Sequence, residues 1–175
     1  MAKLITKESK AEEYKSYIKE HVDNVKKAWK NMINKKECMD IILKYDTEFI
    51  IEFVTAFIEN HDQSKYSIEE FEPYRKRFFP IDEEEKNSCE EEFRKAWQHH
   101  KDYNPHHWNH WDERGLNDVM PSYCVLEMAC DHIAMSDKFG GTALNWYKGE
   151  KEKGEIRLGK KQEEYYLSLL EAYYR

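Results

Sequence analysis

FIIEFVTAFIENHDQSK, residues 49–65, sets an apolar helical stretch directly before an adjacent His-Asp pair. Phe49, Ile50, Phe53, Val54, Phe57 and Ile58 make the segment apolar on two sides. Ile50, Val54, Phe57 and His61 fall on one face at the three- and four-residue steps of a helix. The sequence therefore predicts a central helix from near Thr47 into His61, with Asp46 as its N-cap. His61 and Asp62 would then lie at the C-terminal end of the most buried element in the chain.

On the N-terminal side, Tyr14, Ile18, His21, Val25, Ala28 and Met32 recur at helical steps, while Glu12, Glu13, Lys19 and Lys26 fall elsewhere. A first helix from Lys7 to Met32 follows, with His21 inside its apolar stripe. On the C-terminal side, Ser67-Ile68-Glu69-Glu70 has the form of a capping box and predicts a short helix ending before Pro80. Asp82 with Glu85 repeats the signal for a helix reaching about Lys101. On it Phe93, Ala96, Trp97 and His100 are in step, whereas His99 aligns with Glu92 and Lys95. Asn104-Pro105 ends that helix, because the residue before proline avoids helical backbone. Residues 105–116 read as a loop rich in His and Trp.

A further helix is expected from Pro121 to Lys138, with Cys124, Met128, Asp131 and Met135 on one stripe, Glu127 one turn before Asp131, and Gly140-Gly141 as its stop. A polar, Lys-rich stretch from Lys148 to Lys161 follows, with a weak signal for a two-stranded ribbon around Glu155 to Leu158. A last amphipathic helix, residues 160–174, carries Tyr166, Leu169, Leu170 and Tyr173. With only six Gly and four Pro in 175 residues, turns are few and long helices are favoured. The expectation is one all-α domain over residues 1–175, with its core in about 7–147 and the last helix packed on it.

The formal net charge of -7, with both signs interspersed, excludes non-specific grip on a nucleic-acid backbone. Cys38, Cys89, Cys124 and Cys130 form no CxxC pair, which argues against a zinc knuckle or disulfide framework and suits a reducing compartment. The N-terminal MAKLITKESK has no apolar signal core, and no apolar run approaches a membrane span, so a cytoplasmic protein without membrane contact is expected. Nothing in the sequence fixes its oligomeric state.

His21, His61 with Asp62, His100 and Asp131 lie on four separate predicted helices, each directed inward. An interior carboxylate is costly unless a cation, a set of hydrogen bonds or a proton accompanies it. A divalent metal explains several imidazoles and carboxylates in one core most economically. Such ligands suit Mn, Fe, Ni, Co or Zn better than Ca, and Mg is a further candidate for phosphate chemistry. One or two ions are expected.

A lone His, an adjacent His-Asp pair and a distant Asp, all on helices, resemble the HD-domain superfamily of metal-dependent phosphohydrolases, the resemblance being carried by His21, His61-Asp62 and Asp131. HDQSK, residues 61–65, is similar to the HDxxK form of many members. More closely, HDQSKYSIEEFEPY, AWQHHKDYNPHHW and LEMACDHIAMS resemble a family of short phage and Gram-positive bacterial proteins with no assigned reaction, over most of residues 15–147.

The HD resemblance implies an HD-like helical bundle. In it His21, His61, Asp62 and Asp131 hold a first metal, and Asp62 bridges to a second held by His100 and one of His106 or His107. The spacing of HHKDYNPHHW departs from the phosphodiesterase pattern. The resemblance places Lys65 near a substrate phosphate or behind the metal ligands.

A bound cation would supply a hydroxide nucleophile, and with Lys65 it would neutralise phosphate oxygens. Glu127 is the candidate to orient the water or take its proton, and His106 or His107 to protonate the leaving oxygen. The expected substrate is a nucleotide or other small phosphate ester. A di-iron oxygenase of the HD type, and a phage protein that binds a nucleotide without turnover, are the rival readings.

Several neighbours are left out of the site. His99 and His110 read as surface residues or as lying behind the ligands, and His132 points about 100° from Asp131 on a helix. Trp97, Trp108 and Trp111 read as wall or lid. Arg75-Lys76-Arg77 reads as a solvated helix end.

Overall fold

The computed structural model describes residues 5–175. The first four residues of the MAKLITKESK stretch lie outside the described residues. Among those described, the chain forms ten α-helices and no strand. They are α1 (Lys7–Asn34), α2 (Lys36–Tyr45), α3 (Phe49–Glu59), α4 (Phe71–Phe78), α5 (Glu83–Ser88), α6 (Glu90–Tyr103), α7 (Trp108–Asp112), α8 (Ser122–Phe139), α9 (Ala143–Lys153) and α10 (Lys160–Tyr173). Short 3-10 turns cover Gln63–Tyr66 and Asn117–Val119. The fold is all-α, and no described helix is long and apolar enough to cross a membrane. The expected ribbon around Glu155 to Leu158 is absent, since that stretch contains no strand.

The chain divides into two compact units. The first comprises the chain up to His21 together with Asp62–Asn104, and the second comprises Val22–His61 with Pro105–Arg175.

In the first unit α4 packs against α5 and α6. Phe93 meets Tyr74 and Phe78 edge-on, and Tyr14 of α1 lies against Phe71 and Phe79. Asp82 caps α5 by accepting from the Glu85 amide at 2.8 Å, as its spacing predicts. The single helix expected from there to Lys101 is two, broken at Cys89 (φ -93°, ψ 4°).

Arg75 corrects the solvated-helix-end reading. It is fully buried, and its guanidinium forks onto both oxygens of Glu85. The capping box is also corrected. No side-chain cap forms at the start of α4, and Glu70 turns inward, buried.

The second unit is built around α8. Cys124, Val125, Leu126, Met128, Ala129, Cys130, Ile133 and Ala134 are all buried there, and Gly140 ends the helix at φ 91°, where a side chain would be strained. α3, α9 and α10 pack on α8, and α10 also packs on α2. Trp29 of α1 donates to Thr55 Oγ1 of α3 at 2.9 Å. All four cysteines are free and buried.

Three sequence expectations change here. α8, with eleven buried residues, is the most buried helix, whereas α3 buries Val54 and Ile58 and leaves Phe49 83% exposed. Asp46 does not cap α3; it ends α2, and its carboxylate accepts from Ser122 Oγ at 2.8 Å. The supposed loop 105–116 contains α7, tied back by the Trp111 indole N–H donating to the Pro105 carbonyl at 2.7 Å. Trp108 and Trp111 pack against the core of the unit.

Candidate metal centre

Asp62 organises the candidate residues of the first unit. Its backbone is left-handed (φ 55°, ψ 22°), the one non-glycine residue in that region among those described. Asp tolerates this conformation better than most residues, because its short side chain serves local hydrogen bonds. The Lys65 amide donates to the Asp62 carbonyl at 3.0 Å, closing the 3-10 turn. That turn returns the Lys65 ammonium to within 2.6 Å of Asp62 Oδ2.

Two imidazoles face the same carboxylate. His21 Nε2 lies 3.5 Å from Oδ2 and His100 Nε2 lies 3.4 Å from Oδ1. His21, Asp62 and His100 are all buried. These separations exceed a good charge-assisted hydrogen bond. They match the roughly 3–3.5 Å between neighbouring nitrogen and oxygen ligands that each sit about 2.1 Å from one cation. Each oxygen of Asp62 thus pairs with one imidazole at a spacing that suits two ligands of a divalent ion, with Lys65 also beside Oδ2.

Glu70 lies behind His100. Its carboxylate is fully buried and accepts from His100 Nδ1 at 2.8 Å and from His99 Nδ1 at 2.7 Å. Burial pushes this carboxyl upward, but His100, then His99 and Ser64, overcome it and hold it below the ordinary range. Burial, reinforced by the charges of Asp62 and Glu70, raises the phenols of Tyr14 and Tyr74. The His100 ring lies 5.8 Å from Trp97, stacked at 27°, so Trp97 backs the imidazole.

In the second unit Glu127 plays the organising part. Its Oε1 lies 2.9 Å from His61 Nδ1 and 3.2 Å from His106 Nδ1. Burial pushes the Glu127 carboxyl up, and the imidazoles of His106 and His61 prevail, holding it at about 2. One ligand atom from each of His106, His107 and Asp131 lies within 4.8 Å of the others, so these three can share an ion. The His106 and His107 rings are 4.3 Å apart, and His106 Nε2 is 3.8 Å from Asp131 Oδ2. His132 is turned to other work: its Nδ1 is hydrogen-bonded with the Tyr166 hydroxyl at 2.7 Å, and burial lowers its pKa to about 4, so it stays neutral.

Residues 10–171 match the model of a family described as "Family of unknown function (DUF5662)". The chain belongs to DUF5662. No curated protein and no solved structure matches it.

For this DUF5662 chain, His21, Asp62, Lys65 and His100 come together in the first unit, and His61, His106, His107, Glu127 and Asp131 in the second. These buried His and acidic groups could hold metal. Glu70, Ser64 and Asn104 were not legible as site residues. Glu70 sits in a run that mimics a capping box, and its partners His99 and His100 lie 29 and 30 residues away in sequence. His99, half-buried, lies behind His100 through Glu70.

Proposed function

We propose that this chain is a metal-dependent phosphohydrolase of the HD-domain type, acting on a nucleotide or other small phosphate ester. The observation that carries it is the bracketing of Asp62, with an imidazole Nε2 facing each carboxylate oxygen at ligand-to-ligand spacing. The proposed ligands are those the HD resemblance implies, of which His21, Asp62 and His100 fall in the first unit and His61, His106, His107 and Asp131 in the second. A bound divalent cation lowers the pKa of coordinated water toward neutrality and draws charge from phosphate oxygens.

The chain's own residues supply orientation and charge. Lys65 is held beside Asp62 with its side chain 13% exposed, close enough to solvent for its ammonium to donate to a phosphate oxygen. Glu127, held at about 2, is a poor proton acceptor near neutrality. Its work is to accept from the Nδ1–H groups of His61 and His106, leaving Nε2 of each ring as the lone-pair nitrogen.

Metal analysis of the purified protein, followed by a phosphate-release screen over nucleotides with Mn, Ni, Co and Mg, tests the reading. Metal-activated phosphate release is expected. Iron at two per chain without phosphate release would make the protein an oxygenase. A blank screen in which a nucleotide still raises the melting temperature would make it a binding module. A protein that takes up none of these metals would end the metal-dependent reading altogether.

A further inference from the structure

We infer that Glu70 is a positioning residue for His100, fixing the ring proton on Nδ1 so that the lone pair of Nε2 faces Asp62. The functional consequence rests on the metal-dependent reading above; the tautomer itself does not.

Three polar atoms surround His100 Nδ1: Glu70 Oε2 at 2.8 Å, Asn104 Nδ2 at 3.1 Å and Ser64 Oγ at 3.3 Å. Asn104 directs its amide hydrogens elsewhere, to Ser64 Oγ at 2.7 Å and to the His100 carbonyl at 2.8 Å. Ser64 supports Glu70 as a further donor to its carboxylate. The ionised carboxylate is thus the strongest acceptor at Nδ1 and decides the tautomer. With the proton on Nδ1, Nε2 presents a lone pair 3.4 Å from an Asp62 oxygen, which suits a cation shared between them.

The geometry of the clamp argues that Glu70 is built for this. Neighbouring residues on a helix point about 100° apart. Yet His99 and His100 both reach the one carboxylate, each taking a different oxygen. His99 is itself braced by stacking on Tyr103, ring centroids 4.2 Å apart at 20°. A carboxylate held on both oxygens inside the protein cannot rotate away from His100. Nothing in the short turn before α4 requires an acid there, since α4 begins without a side-chain cap.

The test is the protonation of His100 read from its side-chain 15N shifts in metal-free protein at alkaline pH, in the parent and in Glu70→Gln. We expect the proton on Nδ1 alone in the parent and a mixed or reversed tautomer in the variant. A proton on His100 Nε2 of the parent, with or without one on Nδ1, overturns the inference, and this measurement stands even where Glu70→Gln does not fold. In parallel, Mn2+ titration should show affinity weakened about 10- to 100-fold in Glu70→Gln, with the metal-free melting temperature little changed. A lower melting temperature with unchanged tautomer and unchanged Mn2+ affinity makes Glu70 merely structural and overturns the inference. A parent that binds no Mn2+ would sink the metal-dependent reading, while the 15N measurement would still decide the role of Glu70.

Discussion

Replacing Asp62 by Asn separates charge from backbone at the centre of the first unit's cluster. Position 62 is left-handed at φ 55°, a region that Asn tolerates and that costs most L-residues about 1–2 kcal/mol. Asp62→Asn therefore keeps the turn that carries Lys65 and removes only the negative charge between His21 and His100. Asp62→Ala would remove the charge and strain the turn together, which makes it the poorer probe. In metal-free protein the Asn variant should melt below the parent, because it removes the carboxylate that faces the part-buried Lys65 ammonium, so each protein is compared with itself with and without metal.

The difference appears when metal is added. At a free Mn2+ concentration 100-fold above Kd, binding stabilises the parent by about 2.7 kcal/mol. At about 2–4 °C per kcal/mol for a chain of this size, that is a rise of about 5–11 °C. With its central ligand neutral, Asp62→Asn should rise by less than about 1 °C under the same conditions. Thermal unfolding followed by circular dichroism, with and without Mn2+, reads both quantities. A variant that keeps most of the parent's metal-induced rise would refute the placement of a cation at Asp62.

Other perturbations test separate parts of the argument. The Arg75 hydrogen bonds, above all, hold the Glu85 carboxyl down at about 2 from an ordinary 4.5. At 1.36 kcal/mol per unit, and with the screening that its partial exposure brings, that is worth about 1–2 kcal/mol. Because the folded value is lowered, this stabilisation is full above pH 4.5 and is lost as pH falls toward about 2. Denaturant titrations should therefore show Glu85→Gln less stable than the parent by about 1–2 kcal/mol at neutral pH, the gap closing across that acid window; a gap that stays constant with pH would count against the pair. Glu127→Gln should weaken Mn2+ affinity about 10- to 100-fold by loosening His61 and His106. If Glu127 were instead a proton acceptor, phosphate release would slow while Mn2+ affinity held.

Periodicity made the long elements legible where burial follows one stripe. α1 carries Tyr14, Ile18, His21, Val25 and Met32 on its buried face, and α8 begins after Pro121 and ends at Gly140 as its punctuation implies. α2 and α9 escaped because each buries only one pair four residues apart, Cys38 with Ile42 and Ala143 with Tyr147, inside strongly charged windows. α3 was over-read: its aromatic residues signal apolarity, but Phe49 and Phe53 face solvent, and apolar composition does not say which side a neighbour covers.

The same logic divides the candidate site. His21, His61, His100 and Asp131 stood out because a polar side chain interrupts an apolar stripe, an anomaly visible within one helix. Glu70 and Arg75 did not, because each is explained only by partners distant in sequence, His99 and His100 for one and Glu85 for the other. Local motifs encode what the next turn of backbone needs, whereas a buried charge is set by what folding brings to it from elsewhere. Acidic residues that support histidines are therefore the part of such a site least readable from a single sequence. A carboxylate in a run that looks like a cap, within a chain rich in inward-facing histidines, should be treated as a candidate for that supporting role.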